Sequence, residues 1–399
     1  GRKVLNHANK LFTLSKFHPV GIMIYNSATF IGTPWETIIK MYRNQLKDKC
    51  FNSLEEYSVD FFEYLRDKNF FTTLDVQKKH LEYEIYAKHG EIMQLAMSEN
   101  GGLDDTEQSL NTLISFMKKA LKNNIDILSQ DPKNQDFEEL SLENFSPYIQ
   151  EAMDTIVNDV SMKRIVSVYE TYRTEFTEFV YHLICSQNDF LNYTGVVFVG
   201  YGEDEIFPSI IPYNVSIAFD NKLRYYRDMS RTDTISNTNG ASIVPFAQTD
   251  VINTILQGID PELDRVYMKN FDDTLSNYHN TIISLLEKMG LSGAEALKQI
   301  DISIVSQEIQ KLNHNIKKAK YIEPLVNTIE TFSKEDLTEL AESLISLTSL
   351  KRKITFAEES VGGPVDTAVI SKGDGFIWIN RKHYFSPSNN HTFFEKYLK

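Results

Sequence analysis

Apolar and polar positions change rhythm several times along the chain, and each change marks an element boundary. Near the start Phe12 and Leu14 alternate with Thr13 and Ser15, and after the break Phe17-His18-Pro19 an apolar run occupies 20–25. Period-two alternation followed by a short apolar run predicts two adjacent strands joined by a tight turn. Thr33-Pro34-Trp35-Glu36 then offers a capping side chain, a proline at the first helical position and a carboxylate three residues after the cap, the arrangement of a capping box. A helix is expected there, with Trp35, Ile38, Ile39, Tyr42 and Leu46 at helical spacing forming its buried face.

From about 51 to 190 strand signals nearly vanish, and amphipathic helical patterns alternate with polar, turn-rich stretches such as Ser98-Glu99-Asn100-Gly101-Gly102 and Gln130-Asp131-Pro132. Strands return at 194–202, at 213–219 and, after an Asp220-Asn221 turn, at 222–226, which reads as a meander. A second helical region spans 245–350, including 278–289 and the polar-faced stretch 304–320. Its last helix opens with a Ser333/Asp336 capping box, and Leu337, Leu340, Ala341, Leu344, Leu347 and Thr348 are expected to form its buried stripe. The chain closes in a hairpin, 365–370 and 376–380 around Ser371-Lys372-Gly373-Asp374-Gly375. Strands and helices come in segregated runs, which predicts an α+β fold rather than a doubly wound parallel sheet. The scattered strands are expected to build one core interrupted by two helical insertions.

Composition narrows the function classes. The 399 residues exceed one small module, and 42% hydrophobic with 24% charged residues describes a chain able to bury a core. Forty-one basic against 55 acidic residues leave a net charge of -14, which repels a phosphate backbone, so no nucleic acid partner is expected. Cys50 and Cys185 are the only cysteines, too few for a disulfide framework or a multi-thiolate zinc site, and this suits a reducing cytoplasm. No apolar run approaches the roughly 18–20 residues that span a bilayer, so no membrane partner is expected.

Individual motifs exclude more than they assign. His80 and His89 are nine apart without an HExxH pattern, so no metal is expected and surface positions are the reading for both. Gly200-Tyr201-Gly202 lacks the third glycine and the lysine of a phosphate loop. Phe61-Phe62, Phe70-Phe71 and Tyr225-Tyr226 are read as core rather than as a stacking platform.

Several blocks together resemble one family. Asn9-Lys10-Leu11-Phe12-Thr13-Leu14, the strand from Val20 and the helix at Pro34-Trp35-Glu36 resemble the lysine-bearing strand, the next strand and the first core helix of proteasome β-type subunits and their simpler bacterial relatives. Residues 194–202, Ile206-Phe207-Pro208-Ser209-Ile210 and the strand from Tyr213 are similar to the strands after that family's second helix, and 236–250 takes the place of its next loop and helix. The most specific likeness is at the end, where the helix after Ser333 leads into Glu358-Glu359-Ser360-Val361-Gly362-Gly363-Pro364, similar to the family's Asp-x-x-Ser-Gly-Gly loop.

The resemblance implies an αββα sandwich of the N-terminal-nucleophile hydrolases. Its parts would be a first core section at 1–50, a helical insertion at 51–190, core strands and a helix at 191–258, a second insertion at 259–330, and the last core helix and strands at 331–399. It also implies attack on an amide carbonyl by an N-terminal threonine, serine or cysteine whose own α-amine, with a pKa of about 7.7–8.0, takes the proton. A lysine ammonium about 4 Å away favours the neutral amine and the alkoxide by about 4 kcal/mol at an effective dielectric of about 20.

By the resemblance Lys10 fills the lysine role, Glu358 stands at the supporting aspartate, and Gly362 and Gly363 form the close-approach turn. Val361 replaces the family's serine, and Gly1 has no side chain with which to attack, so the nucleophile is expected outside these residues. A peptide or amide substrate, no cofactor and a homo-oligomer follow from the same likeness. The alternative is a catalytically inactive scaffold or interaction module of that fold.

Overall fold

A computed structural model describes residues 9–99, 107–157, 163–291, 293–355, 365–383, 385 and 389–392. It is an α+β protein whose backbone divides into two compact units: one comprises the described residues of 9–234 and 370–376, the other those of 235–369 and 377–392.

The first unit is organised by an antiparallel sheet. Strands β1 (Leu11–Thr13) and β2 (Val20–Asn26) pair as the alternation predicts, with Phe12 opposite Ile22. Two short strands, β3 (Thr29–Phe30) and β4 (Thr33–Pro34), pair with each other and lead into helix α1 (Trp35–Leu46), followed by α2 (Leu54–Asp67). Helices α3 (Leu74–Glu99), α4 (Glu107–Leu128), α5 (Leu142–Val157) and α6 (Lys163–Cys185) make the expected helical block. The meander follows as β5 (Thr194–Gly200), β6 (Ser209–Phe219), β7 (Lys222–Arg227) and β8 (Asp233–Thr234). The six strands run β1-β2-β5-β6-β7, with β8 also on β6, and every pairing is antiparallel. Asp220 and Asn221 both take positive φ, as a tight hairpin turn requires.

One face of this sheet is dry. Phe12, Ile22, Ile24, Val196, Phe198 and Ile211 meet Trp35, Ile38, Ile39 and Tyr42 of α1 and Phe61 and Phe62 of α2 in one apolar cluster. The helical stripe read from the sequence is the buried face of α1 residue for residue. Trp35 donates from Nε1 to Thr194 Oγ1 at 3.0 Å, tying α1 to the head of β5. A second cluster gathers α3 to α6 around Ile217 and Phe219, beyond a register shift in β6.

Two local expectations fail here. No side chain caps α1: Pro34 occupies the position before it, because Thr33 and Pro34 are held extended in the β3–β4 ladder. Glu36 is therefore released from the capping box, and its carboxylate accepts from Asn9 and Lys40 instead. His89, read as a surface residue, lies in the helical core, bonded to Tyr172 through Nε2 at 2.8 Å and ringed by Tyr169 and Phe176.

The second unit is mainly helical: α7 (Asp250–Gln257), α8 (Pro261–Lys288), α9 (Ala294–Lys298), α10 (Ser303–Lys317), a π-helical turn at Lys318–Ile322, α11 (Glu323–Ile329) and α12 (Lys334–Ile354). The Ser333/Asp336 capping box forms as read. The α12 stripe does not: Leu344 and Thr348 are buried, whereas Leu337 and Leu347 are exposed, because this unit offers them little apolar surface to pack against.

Among the described residues the closing strands, β9 (Thr367–Ser371) and β10 (Gly375–Asn380), pair only with each other. In the second unit Glu342 of α12 accepts from Thr367 and Asn380 at the hairpin base.

Candidate functional site

Lys10 lies immediately before β1 and is exposed. Its carbonyl accepts from the Ile24 amide at 2.8 Å, so the lysine backbone continues the β1–β2 ladder by one residue. Asn9, beside it, donates to Glu36 Oε1 at 3.1 Å on the first turn of α1. The lysine-bearing segment is thus tied both to a strand and to the start of a helix. Glu358, Gly362 and Gly363, with Val361, lie outside the described residues.

The sheet face opposite α1 and α2 carries the chemistry that the sequence reading did not single out. Cross-strand pairing puts Gly21, Met23 and Tyr25 of β2 on this face with Gly195, Val197 and Val199 of β5. At one end the hairpin tip, residues 370–376, lies against it: a side-chain carbon added to Gly21 would stand 2.8 Å from the Phe376 ring and 3.0 Å from Ile370. Lys372 of the same tip donates to the carbonyls of Gly202 and Glu203 at 2.6 and 2.7 Å. Gly21 is therefore the close-approach glycine that lets the hairpin tip sit on the sheet.

The Gly200–Gly202 segment is filled by the protein's own groups. Gly202 N–H donates to Glu205 Oε2 at 2.7 Å, and the same carboxylate oxygen accepts from the first amide of α2, Leu54 N–H, at 3.1 Å. The helix terminus and the glycine amide already share an anion, in keeping with the expectation that this is not a phosphate loop.

At the other end of the face a polar network is built from residues far apart in sequence. Tyr25 donates to Asn214 Oδ1 at 3.2 Å; Asn214 Nδ2 donates to Asp189 Oδ1 at 2.7 Å and to Tyr226 Oη at 3.2 Å; Tyr226 also donates to Asp189. The Arg231 guanidinium stacks over the Tyr25 ring, 5.3 Å from its centroid, and is held by Asp228. Burial, above all else, drives the phenols of Tyr25 and Tyr226 well above their ordinary pKa, so both act as neutral donors. Asp228 is lowered despite desolvation, through Ser230 and Arg231.

Behind this network the wholly buried Arg224 donates to the carbonyls of Ile184, Ser186 and Asn188 at 3.0, 2.7 and 3.0 Å, and to Ser216 Oγ at 3.0 Å. A cation here satisfies carbonyls at and just beyond the C-terminus of α6, where the helix dipole is negative. Desolvation lowers its pKa to about 10, which leaves it protonated at neutral pH.

The described residues contain no group of three or more His, Cys, Asp or Glu able to hold a metal ion, and none of their helices is long and apolar enough to cross a membrane. No family model, curated protein or solved structure matches the chain.

Proposed function

We propose that the chain belongs to a proteasome-like N-terminal-nucleophile hydrolase, an amidohydrolase or peptidase with αββα layering, in which Lys10 tunes the amine and hydroxyl or thiol of a nucleophile that is not among these residues. The observation that carries this reading is the hairpin tip on Gly21: helices α1 and α2 cover one face of the sheet, and residues of the tip, Ile370 and Phe376, lie on the other. Apolar side chains of a hairpin tip on that face suit the αββα layering that the resemblance implies.

On this reading Lys10 supplies a fixed positive charge. It disfavours protonation of the attacking residue's α-amine and stabilises the oxyanion formed when its side chain loses a proton. Glu358 would support the lysine, and Gly362-Gly363 would bring backbone close to the reacting carbonyl. Val361, in place of the family's serine, favours a second reading, a member of the fold that has lost catalysis and serves as a scaffold.

N-terminal sequencing and intact mass of the natural protein separate the two. A processed start at threonine, serine or cysteine, about two strands upstream of Lys10, is the expected result. A mature protein whose first residue is none of these removes the hydrolase and leaves the scaffold.

A further inference from the structure

The helical unit inverts the usual placement of apolar residues. Among its described residues the large aliphatic side chains that are buried come down to Ile283, Ile329 and Leu344, whereas α8 exposes Tyr267, Tyr278 and Leu285 and α10 exposes Val305, Leu312 and Ile316. So little burial offsets the conformational entropy of ordering these helices poorly.

The exposed residues form one surface. Helices α8 and α10 run antiparallel, joined by Lys317 to Asp264, Asn313 to Met268 and Ser306 to Asp272. These contacts set the rotation of both helices. At 100° per residue, Val305, Leu312 and Ile316 of α10 and Tyr267, Tyr278 and Leu285 of α8 then fall on the same side of the plane through the two axes.

From Ile302 at the cap of α10, the apolar residues Ile302, Val305, Ile309, Leu312 and Ile316 recur at alternating spacings of three and four, the repeat of a helix–helix seam. Leu312 and Ile316 remain 56% and 53% exposed, so the seam lacks its other half. On the flank of α10 turned away from α8 stand Glu308 and Lys311, and Asp301 precedes the helix while Lys318 follows it, so acidic residues lie toward its N-terminus and basic ones toward its C-terminus.

We propose that this face is an interface between two copies of the chain, in which α8 and α10 of one copy pack on α8 and α10 of the other about a two-fold axis near residue 310, making a four-helix bundle. The antiparallel arrangement layers Val305 on Ile316 and Ile309 on Leu312 of the other copy. It also sets Asp301 level with Lys318 and Glu308 level with Lys311 across the interface, whereas a parallel pairing would place like charges together. This inference is independent of the chemistry proposed above.

Sedimentation velocity on the full chain at micromolar concentration tests it. The expected particle is a dimer or a multiple of dimers. Leu312→Glu with Ile316→Glu changes two side chains that are already exposed, so the circular dichroism should be unaltered while the dimer dissociation constant rises by at least about thirtyfold. Glu308→Lys alone should weaken association, and the Glu308→Lys/Lys311→Glu double variant should restore it, since both copies exchange signs together. A monomeric wild-type chain, an assembly indifferent to the Leu312/Ile316 change, or a double variant no tighter than the single one would each overturn the proposal.

Discussion

The ring of Tyr25 lies directly over Gly195, its partner across the β2–β5 ladder, so that a methyl group at position 195 would stand 1.8 Å from Cε1 of the ring. The ring is pinned from both sides, by its hydroxyl on Asn214 and by the Arg231 guanidinium stacked above it. Gly195→Ala should therefore destabilise the protein by about 1–3 kcal/mol, the usual range for overpacking. In urea melts, Tyr25→Ala in the same chain should remove most of the added penalty. Additive losses would show that the two residues do not share this space.

Arg224→Met keeps the bulk but removes every donor. The carbonyls of Ile184, Ser186 and Asn188 would lose a charged partner inside the protein, and each unsatisfied group costs about 1–3 kcal/mol. A loss of at least about 3 kcal/mol in chemical denaturation is expected, the sum falling short where carbonyls find water. A near-neutral change would mean that the guanidinium is not what closes the end of α6.

His89 is buried neutral, its pKa pushed down to about 4 by desolvation. The unfolded chain binds the proton at about 6.5, so between these values the unfolded state holds more protons and stability falls as pH is lowered; above the unfolded pKa the full stability is present. The effect is on the order of 3 kcal/mol at its limit. In denaturant melts at several pH values, His89→Phe should flatten the slope between pH 6.5 and 4. An unchanged slope would assign the acid sensitivity to other groups.

If the proposed hydrolase reading holds, Lys10→Ala should lower turnover of an amide substrate by the natural, processed protein by at least about a hundredfold. The backbone bond from Ile24 to Lys10 does not involve the side chain, so the melting curve should stay within about 0.5 kcal/mol of wild type, as for other exposed positions. Activity equal to wild type would reject the role given to Lys10.

The buried face of α1, the Asp220-Asn221 turn, the Ser333/Asp336 capping box and the pairing of the last two strands were legible in the sequence because each depends on residues within a few positions of one another. A helical stripe, a positive-φ pair and a side chain reaching its own third amide are local physics. The capping box at Glu36 failed for a neighbouring reason: the β3–β4 ladder held Thr33 and Pro34 extended, a pairing that apolar periodicity does not register. The α12 stripe failed because amphipathicity states which face can be buried, not whether anything comes to cover it.

The sequence by itself determined the α+β class, the order of strand and helix blocks and a lysine at the head of β1. Tertiary structure alone decided that Tyr25, Asp189, Asn214 and Tyr226 share one network, that Arg224 closes α6, and that Ile370 and Phe376 rest on Gly21. These groups come from separate segments. Polar residues on strands and loops carry no periodic mark of their eventual partners, and only closure of the sheet brings them within hydrogen-bonding distance.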